Sequence, residues 1–303
     1  MKMLFKTPEI EFTDIDTNPY TTKNIRLIVA RLDKIHPIIS GNKLYKLHFF
    51  LEQAIQSSQK TILTFGGAYS NHLAATAYAC KLAGLRSIGI VRGERPATLS
   101  HTLVACELDG MHLKFISRNE YDQKEQEYFQ DTLQNEFGEC LVVPEGGYHP
   151  LGSKGASLIM DEFHFLNATH VCTAVGTATT LAGLMQNRHN NETMIAVPVL
   201  KQMTDIKERI SFLNGKDQQD KLVIFDEYHF GGYAKKTNAL INFMNELYER
   251  NKLPTDFVYT AKMMYAITDK IRTGYFEDGN IIVCLHTGGL QGNASLPAGT
   301  LVF

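Results

Sequence analysis

The segment SGNKLYKLHFF, residues 40–50, places Lys43 and Lys46 three positions apart, directly after a Gly-Asn turn. A lysine amine acts as a carbonyl-directed nucleophile only when part of its population is unprotonated. At the start of a helix the positive dipole end disfavours the ammonium form, which moves a lysine in that direction. An exposed, solvated lysine is the ordinary reading of any one such residue, so the neighbouring loops decide. VGTATTLAG, 175–183, follows an apolar run and opens an apolar segment, so a Gly/Thr turn delivers unpaired backbone N–H groups and hydroxyls to one point. That combination suits a phosphate. A plain strand-to-helix turn is the alternative. No Walker lysine follows the glycine, which disfavours a P-loop, and no dinucleotide fingerprint is present.

FGGAYSNHLAATA, 65–77, reads as a strand, a Gly-Gly turn and then Ser70, Asn71 and His72 at the mouth of a helix. Backbone amides with the Ser and Asn side chains can hold a carboxylate. Ser70 or Asn71 could equally be a plain N-cap. The Ser-His pairing lacks a GxSxG elbow, which argues against hydrolase chemistry.

The elements that must carry these loops are visible as apolar runs. IRLIVA (25–30), TILTF (61–65), SIGIV (87–91), HLKFI (112–116), HVCTAV (170–175), MIAVPV (194–199) and NIIVCL (280–285) predict buried strands. Segments 72–85 and 238–251 predict helices between them. Strand and helix alternate, so the expected class is α/β with largely parallel sheets. Gly-rich and polar loops follow the runs ending near 65, 144, 175 and 285, where α/β proteins bind ligands outside the carboxyl ends of strands. One site assembled from both halves of the chain is expected.

Composition excludes several classes. At 303 residues the chain is comfortable for two domains, and a net charge of −2 gives no basic face for nucleic acid. No stretch approaches the roughly 20 apolar residues of a membrane span. MKMLFKTPEIEF has no apolar run of signal-peptide length. The five cysteines form no CxxC pair, so neither a metal site nor a disulfide framework is indicated, and a cytoplasmic protein with reduced thiols is expected.

The segments ISGNKLYKL, FGGAYSNHLAATA, PEGG, GTATTLAG, VYTAKMMYAI and LHTGG, in that order, resemble the 1-aminocyclopropane-1-carboxylate deaminase / D-cysteine desulfhydrase family. These are fold-type II, tryptophan synthase β-like enzymes dependent on pyridoxal 5'-phosphate, and the likeness runs from about residue 25 to 290. The resemblance implies two three-layer α/β/α domains with the cofactor in the cleft between them. A small domain, 47–148, would be inserted into a large one built from 1–46 and 149–303, and the family is usually dimeric. By the same resemblance Lys43 carries the cofactor as a Schiff base and then removes the substrate's α-proton. Asn71 meets the cofactor's phenolic oxygen. Gly176, Thr177, Ala178, Thr179 and Thr180 wrap the phosphate with help from Lys46, and Thr287 lies at the pyridine nitrogen. Ser70, Asn71, His72 and Thr260 serve the substrate, and Tyr233 and Tyr259 match two active-site tyrosines. The implied reaction is α,β-elimination on a small amino acid, D-cysteine first, giving keto acid, sulfide and ammonia. Cyclopropane-opening members carry Glu and Leu where this chain has Thr260 and Thr287. The alternatives are that deaminase, another β-substituted amino-acid lyase, or a non-catalytic ligand sensor. Tyr45, Ala178 and Ala261 depart from the family's usual Arg, Gly and Gly.

Overall fold

All seven apolar runs are strands, because a strand covered on both faces tolerates an unbroken β-branched sequence. The computed structural model describes residues 9–57, 59–189, 192–215 and 220–303. In the first sheet, β1 (Phe12–Ile15), β2 (Arg26–Ala30), β7 (His170–Val175), β8 (Thr193–Pro198), β9 (Leu222–Ile224) and β10 (Ile281–Leu285) lie in the order β1-β2-β10-β7-β8-β9. The β1–β2 pair is antiparallel and the other pairs are parallel. A second, all-parallel sheet has the order β5-β4-β3-β6, from β3 (Thr61–Gly66), β4 (Arg86–Arg92), β5 (Met111–Ile116) and β6 (Leu141–Val143). The apolar runs do not announce β1 or β9. FTDI mixes charge with apolar residues at a sheet edge, and LVI is too short to stand out.

The helices between the strands are α1 (Lys43–Gln56), α2 (Asn71–Ala83), α3 (His101–Leu108), α4 (Arg118–Tyr121), α5 (Glu127–Phe137), α6 (Pro150–Ser157), α7 (Thr179–Gln186), α8 (Ile206–Asn214), α9 (Asn238–Asn251) and α10 (Thr260–Arg272). Segments 72–85 and 238–251 of the sequence correspond to α2 and α9. Helices α1, α6 and α7 pack closely because glycines remove the side chains between them. A Cβ on Gly155 would lie 2.0 Å from the Tyr45 carbonyl oxygen, and one on Gly183 would lie 2.5 Å from that of Ser153. This contact sets the lysine-bearing turn of α1 against the phosphate-type turn that opens α7. The departing Tyr45 is buried in the same layer and directs its hydroxyl at Glu162, 3.4 Å away. No helix among the described residues is long and apolar enough to cross a membrane.

Candidate active site

Carboxyl ends of both sheets feed one cluster of loops. After β2 the chain reaches Gly41, whose backbone has φ +73° and presses so close to the loop after β10 that a Cβ would meet the Thr287 carbonyl oxygen at 1.9 Å. Only glycine fits there. Asn42 follows. Its amide nitrogen donates to Thr180 Oγ1 at 2.6 Å, and its carbonyl oxygen accepts from Lys43 Nζ at 2.6 Å. One side chain thus ties the lysine amine to the α7 turn. Sequence pattern alone gives Asn42 no role, although its place beside the lysine points to it.

Burial pushes the Lys43 ammonium down from 10.5 to about 8, with the Asp256 carboxylate opposing. Lys46, one turn on and buried, is driven well lower by burial and by the Lys43 charge. Two crowded amines withdrawn from water, Lys46 almost wholly and Lys43 in part, cannot both hold protons cheaply. His72 lies beside them and is pushed down to about 3 by burial, then by Lys46 and Lys43. It is therefore a neutral imidazole at physiological pH. Thr64 donates its hydroxyl to the Val143 carbonyl at 2.7 Å, so it accepts from His72 Nε2 at 2.9 Å. That leaves Nδ1 as a buried acceptor with no partner.

Helix α7 begins with Ala178 in the left-handed region, φ +65°, and no side chain caps its first N–H groups. Thr177 and Thr179 hydroxyls lie 2.9 Å apart at the same turn. Ser70 caps α2, its Oγ accepting from the Leu73 amide at 3.2 Å, so its hydroxyl proton remains available to a ligand. Capping uses the Ser70 oxygen as an acceptor and does not consume its proton. Asn71 Oδ1 is buried without a partner. A Cβ on Gly289 would sit 3.0 Å from Asn71 Nδ2 and 3.2 Å from Asp256 Cγ, which brings the 286–289 loop, Asn71 and Asp256 together.

Asp256 belongs to no motif that the sequence displays. It is 1% exposed, and one carboxylate oxygen accepts from the Val258 and Tyr259 amides at 3.0 and 2.8 Å. The other accepts from the Thr260 amide at 3.0 Å and hydroxyl at 2.6 Å. An aspartate four residues ahead of an apolar helical stretch is a capping signal that could have exposed it. The Thr260 side chain is fully buried and its hydroxyl donates to Asp256. Tyr259, just before α10, lies edge-to-face with Tyr233, their hydroxyls 3.5 Å apart. Burial raises the Tyr259 phenol well above its ordinary value, and Tyr233, about half exposed, is raised as well, so both are neutral hydroxyls near pH 7. Beneath the 286–289 loop, Arg31 makes a two-pronged pair with buried Asp33 at 2.8 and 2.6 Å. Asp33 in turn lies 3.3 Å from His286 Nδ1.

The donor set suits a phosphorylated aldehyde cofactor. It offers a desolvated amine, an uncapped helix start lined by hydroxyls, and two buried polar atoms at Asn71 and His72 that lack partners. The family profile of pyridoxal-phosphate dependent enzymes matches residues 7–288. The chain belongs to this family. A putative 1-aminocyclopropane-1-carboxylate deaminase of Pyrococcus abyssi is 29% identical over 275 residues, covering 84% of this chain and 81% of its own length. The mitochondrial bifunctional D-cysteine desulfhydrase/1-aminocyclopropane-1-carboxylate deaminase of Arabidopsis thaliana is 27% identical, covering 90% of this chain and 75% of its own. A crystal structure of an ACC deaminase homologue superposes with a TM-score of 0.80 over 94% of this chain and 90% of that one, at 24% identity, a likeness of fold. This pyridoxal-phosphate dependent enzyme is thus of fold type II.

Proposed function

We propose that the chain catalyses α,β-elimination on a small β-substituted amino acid, D-cysteine foremost. The observation that carries this reading is the threonine pair at 260 and 287, placed where the resemblance sets Glu and Leu in cyclopropane-opening members. The Arabidopsis relative, a bifunctional enzyme with D-cysteine desulfhydrase in its name, supports the same reading. When bound, the cofactor supplies an electron sink for the substrate's α-carbon.

The chain's residues do the rest. Lys43 would hold the cofactor covalently and, once free, take the α-proton, since an amine near 8 is partly unprotonated at neutral pH. Lys46 and the Thr177–Thr180 turn would hold the phosphate. Ser70, Asn71 and the uncommitted amides at the start of α2 would hold the substrate carboxylate. Thr287 would present a neutral hydroxyl to the ring nitrogen, which leaves that nitrogen uncharged and favours elimination over amino transfer. The neutral phenols of Tyr259 and Tyr233 are suited to give a proton to a departing sulfur. In overall balance, D-cysteine and one water yield pyruvate, hydrogen sulfide and ammonia.

The test is release of sulfide and keto acid from D- and L-cysteine assayed separately, on protein carrying the cofactor's visible band. Such protein releasing no sulfide from D-cysteine while opening the cyclopropane amino acid would overturn the reading. Thr260→Glu with Thr287→Leu is expected to raise cyclopropane turnover relative to D-cysteine turnover by about tenfold or more. The carboxyl introduced by Thr260→Glu would replace the hydroxyl that donates to the Asp256 carboxylate and set a second acidic group against it. An unchanged ratio would remove these positions as determinants of specificity.

A further inference from the structure

Lys262 is the last residue of VYTAK, and the elimination chemistry proposed above does not use it. It is fully buried in the first turn of α10, and burial lowers it to about 8 against the opposing Asp256 carboxylate. A cation there loses water and also faces the positive end of the helix dipole, so the position costs stability on both counts. Its Nζ donates to two carbonyls of a single loop, His229 at 2.8 Å and Gly232 at 2.7 Å.

That loop is the one that ends in Tyr233. Phe230, Gly231, Gly232 and Ala234 all have positive φ, at 52°, 91°, 117° and 54°. Tyr233 is therefore flanked on both sides by left-handed backbone, two of the four residues being L-amino acids that disfavour it. The loop's own turn bonds, Gly232 N–H to the His229 carbonyl at 3.0 Å, Lys235 N–H to the Gly232 carbonyl at 3.1 Å and Gly231 N–H to His229 Nδ1 at 2.9 Å, offset part of that cost, and the Lys262 amine ties the same two carbonyls to α10 from outside. The same helical turn that supplies the tie begins just after Tyr259. One turn of helix therefore fixes both phenols.

We propose that Lys262 is a positioning residue: it clamps the 229–232 backbone so that the Tyr233 hydroxyl stands beside that of Tyr259 in the cleft. The proposal rests on the elimination reading for the tyrosines' chemistry, but the clamp itself can be read without turnover. In Lys262→Met the amides of 229–235 exchange hydrogen at least about tenfold faster, while β7, β8 and β10 keep their protection. With D-cysteine, kcat/KM falls about tenfold or more, carried by kcat, because the amine lost touches no substrate. Combined with Tyr233→Phe, the Lys262 substitution adds less than about twofold to the loss of Tyr233→Phe alone, since both act through one hydroxyl. Lys262→Gln keeps a donor but falls short of the two carbonyls. It serves as the milder variant, with the same outcomes expected, should the Met variant fold poorly. Unchanged exchange in the 229–235 loop, or losses that multiply in full with Tyr233→Phe, would overturn the clamp. Were D-cysteine not the substrate, the exchange result would still stand or fall by itself.

Discussion

Replacing Lys43 by alanine is expected to abolish the visible absorbance of the holoenzyme and to reduce turnover on the order of 10³-fold, the scale for removing a positioned proton-transfer group. Two losses coincide in this variant, because in the proposed reaction one amine serves both as covalent carrier and as base. The neighbouring amine does not replace it. Lys46 is packed under Gly147, where a Cβ would already touch its Cβ and Cε at 3.6 Å, and among the described residues no side-chain hydrogen bond orients it as Asn42 orients Lys43 at 2.6 Å. Lys46→Met is the matched control and should keep the visible band while holding the cofactor less tightly. A Lys43→Ala protein that retains the band would show that another amine carries the cofactor. Absorbance and turnover must be read together, since loss of turnover alone would also follow from a misplaced substrate carboxylate at Ser70 and Asn71.

Much of this arrangement was legible in the sequence, for physical reasons. Parallel strands buried on both faces write themselves as apolar runs, and the run 170–175 coincides with β7 residue for residue. Loops rich in Gly and Thr after those strands mark where backbone comes close to a ligand, and Lys43, Ser70, Asn71 and Thr177–Thr180 lie on them. The rest depends on partners that no local pattern reveals. Asp256 reads as a turn residue until α10 is seen to start four positions later, and only then does Thr260 turn inward to meet it. The contact of Asp33 with His286 joins segments some 250 residues apart, and the Lys262 clamp likewise depends on where a loop 30 residues upstream comes to lie. Ala178 marks a third kind of departure. Its left-handed backbone is one that glycine adopts without strain, so this chain keeps the turn's shape while accepting the cost of a Cβ.

The site's buried amines should also be visible in stability. Cofactor-free Lys43→Met is expected to be more stable than the cofactor-free parent at neutral pH, by about 1–3 kcal/mol, because it removes an ammonium that folding takes out of water. The pH dependence gives the sign. In the unfolded chain Lys43 loses its proton near 10.5, and in the folded protein near 8. Below about 8 both states are protonated and the parent carries the full penalty. Between the two values the unfolded chain binds more protons, so the parent's stability rises with pH and the variant's advantage shrinks. Removing the Lys43 charge also relieves Lys46, which adds to the gain, while Asp256 loses a cationic neighbour, which subtracts from it. The buried thiols of Cys80 and Cys106, pushed up to about 12, lower stability above their ordinary 9.0, but they do so in both proteins and cancel in the difference. Urea unfolding of the two cofactor-free proteins from about pH 7 to 10, with equal m-values as the condition for comparison, checks the result. A variant no more stable than its parent at neutral pH would mean that Lys43 is well solvated in the fold, and its amine would then lack the poise that the proposed proton transfer requires.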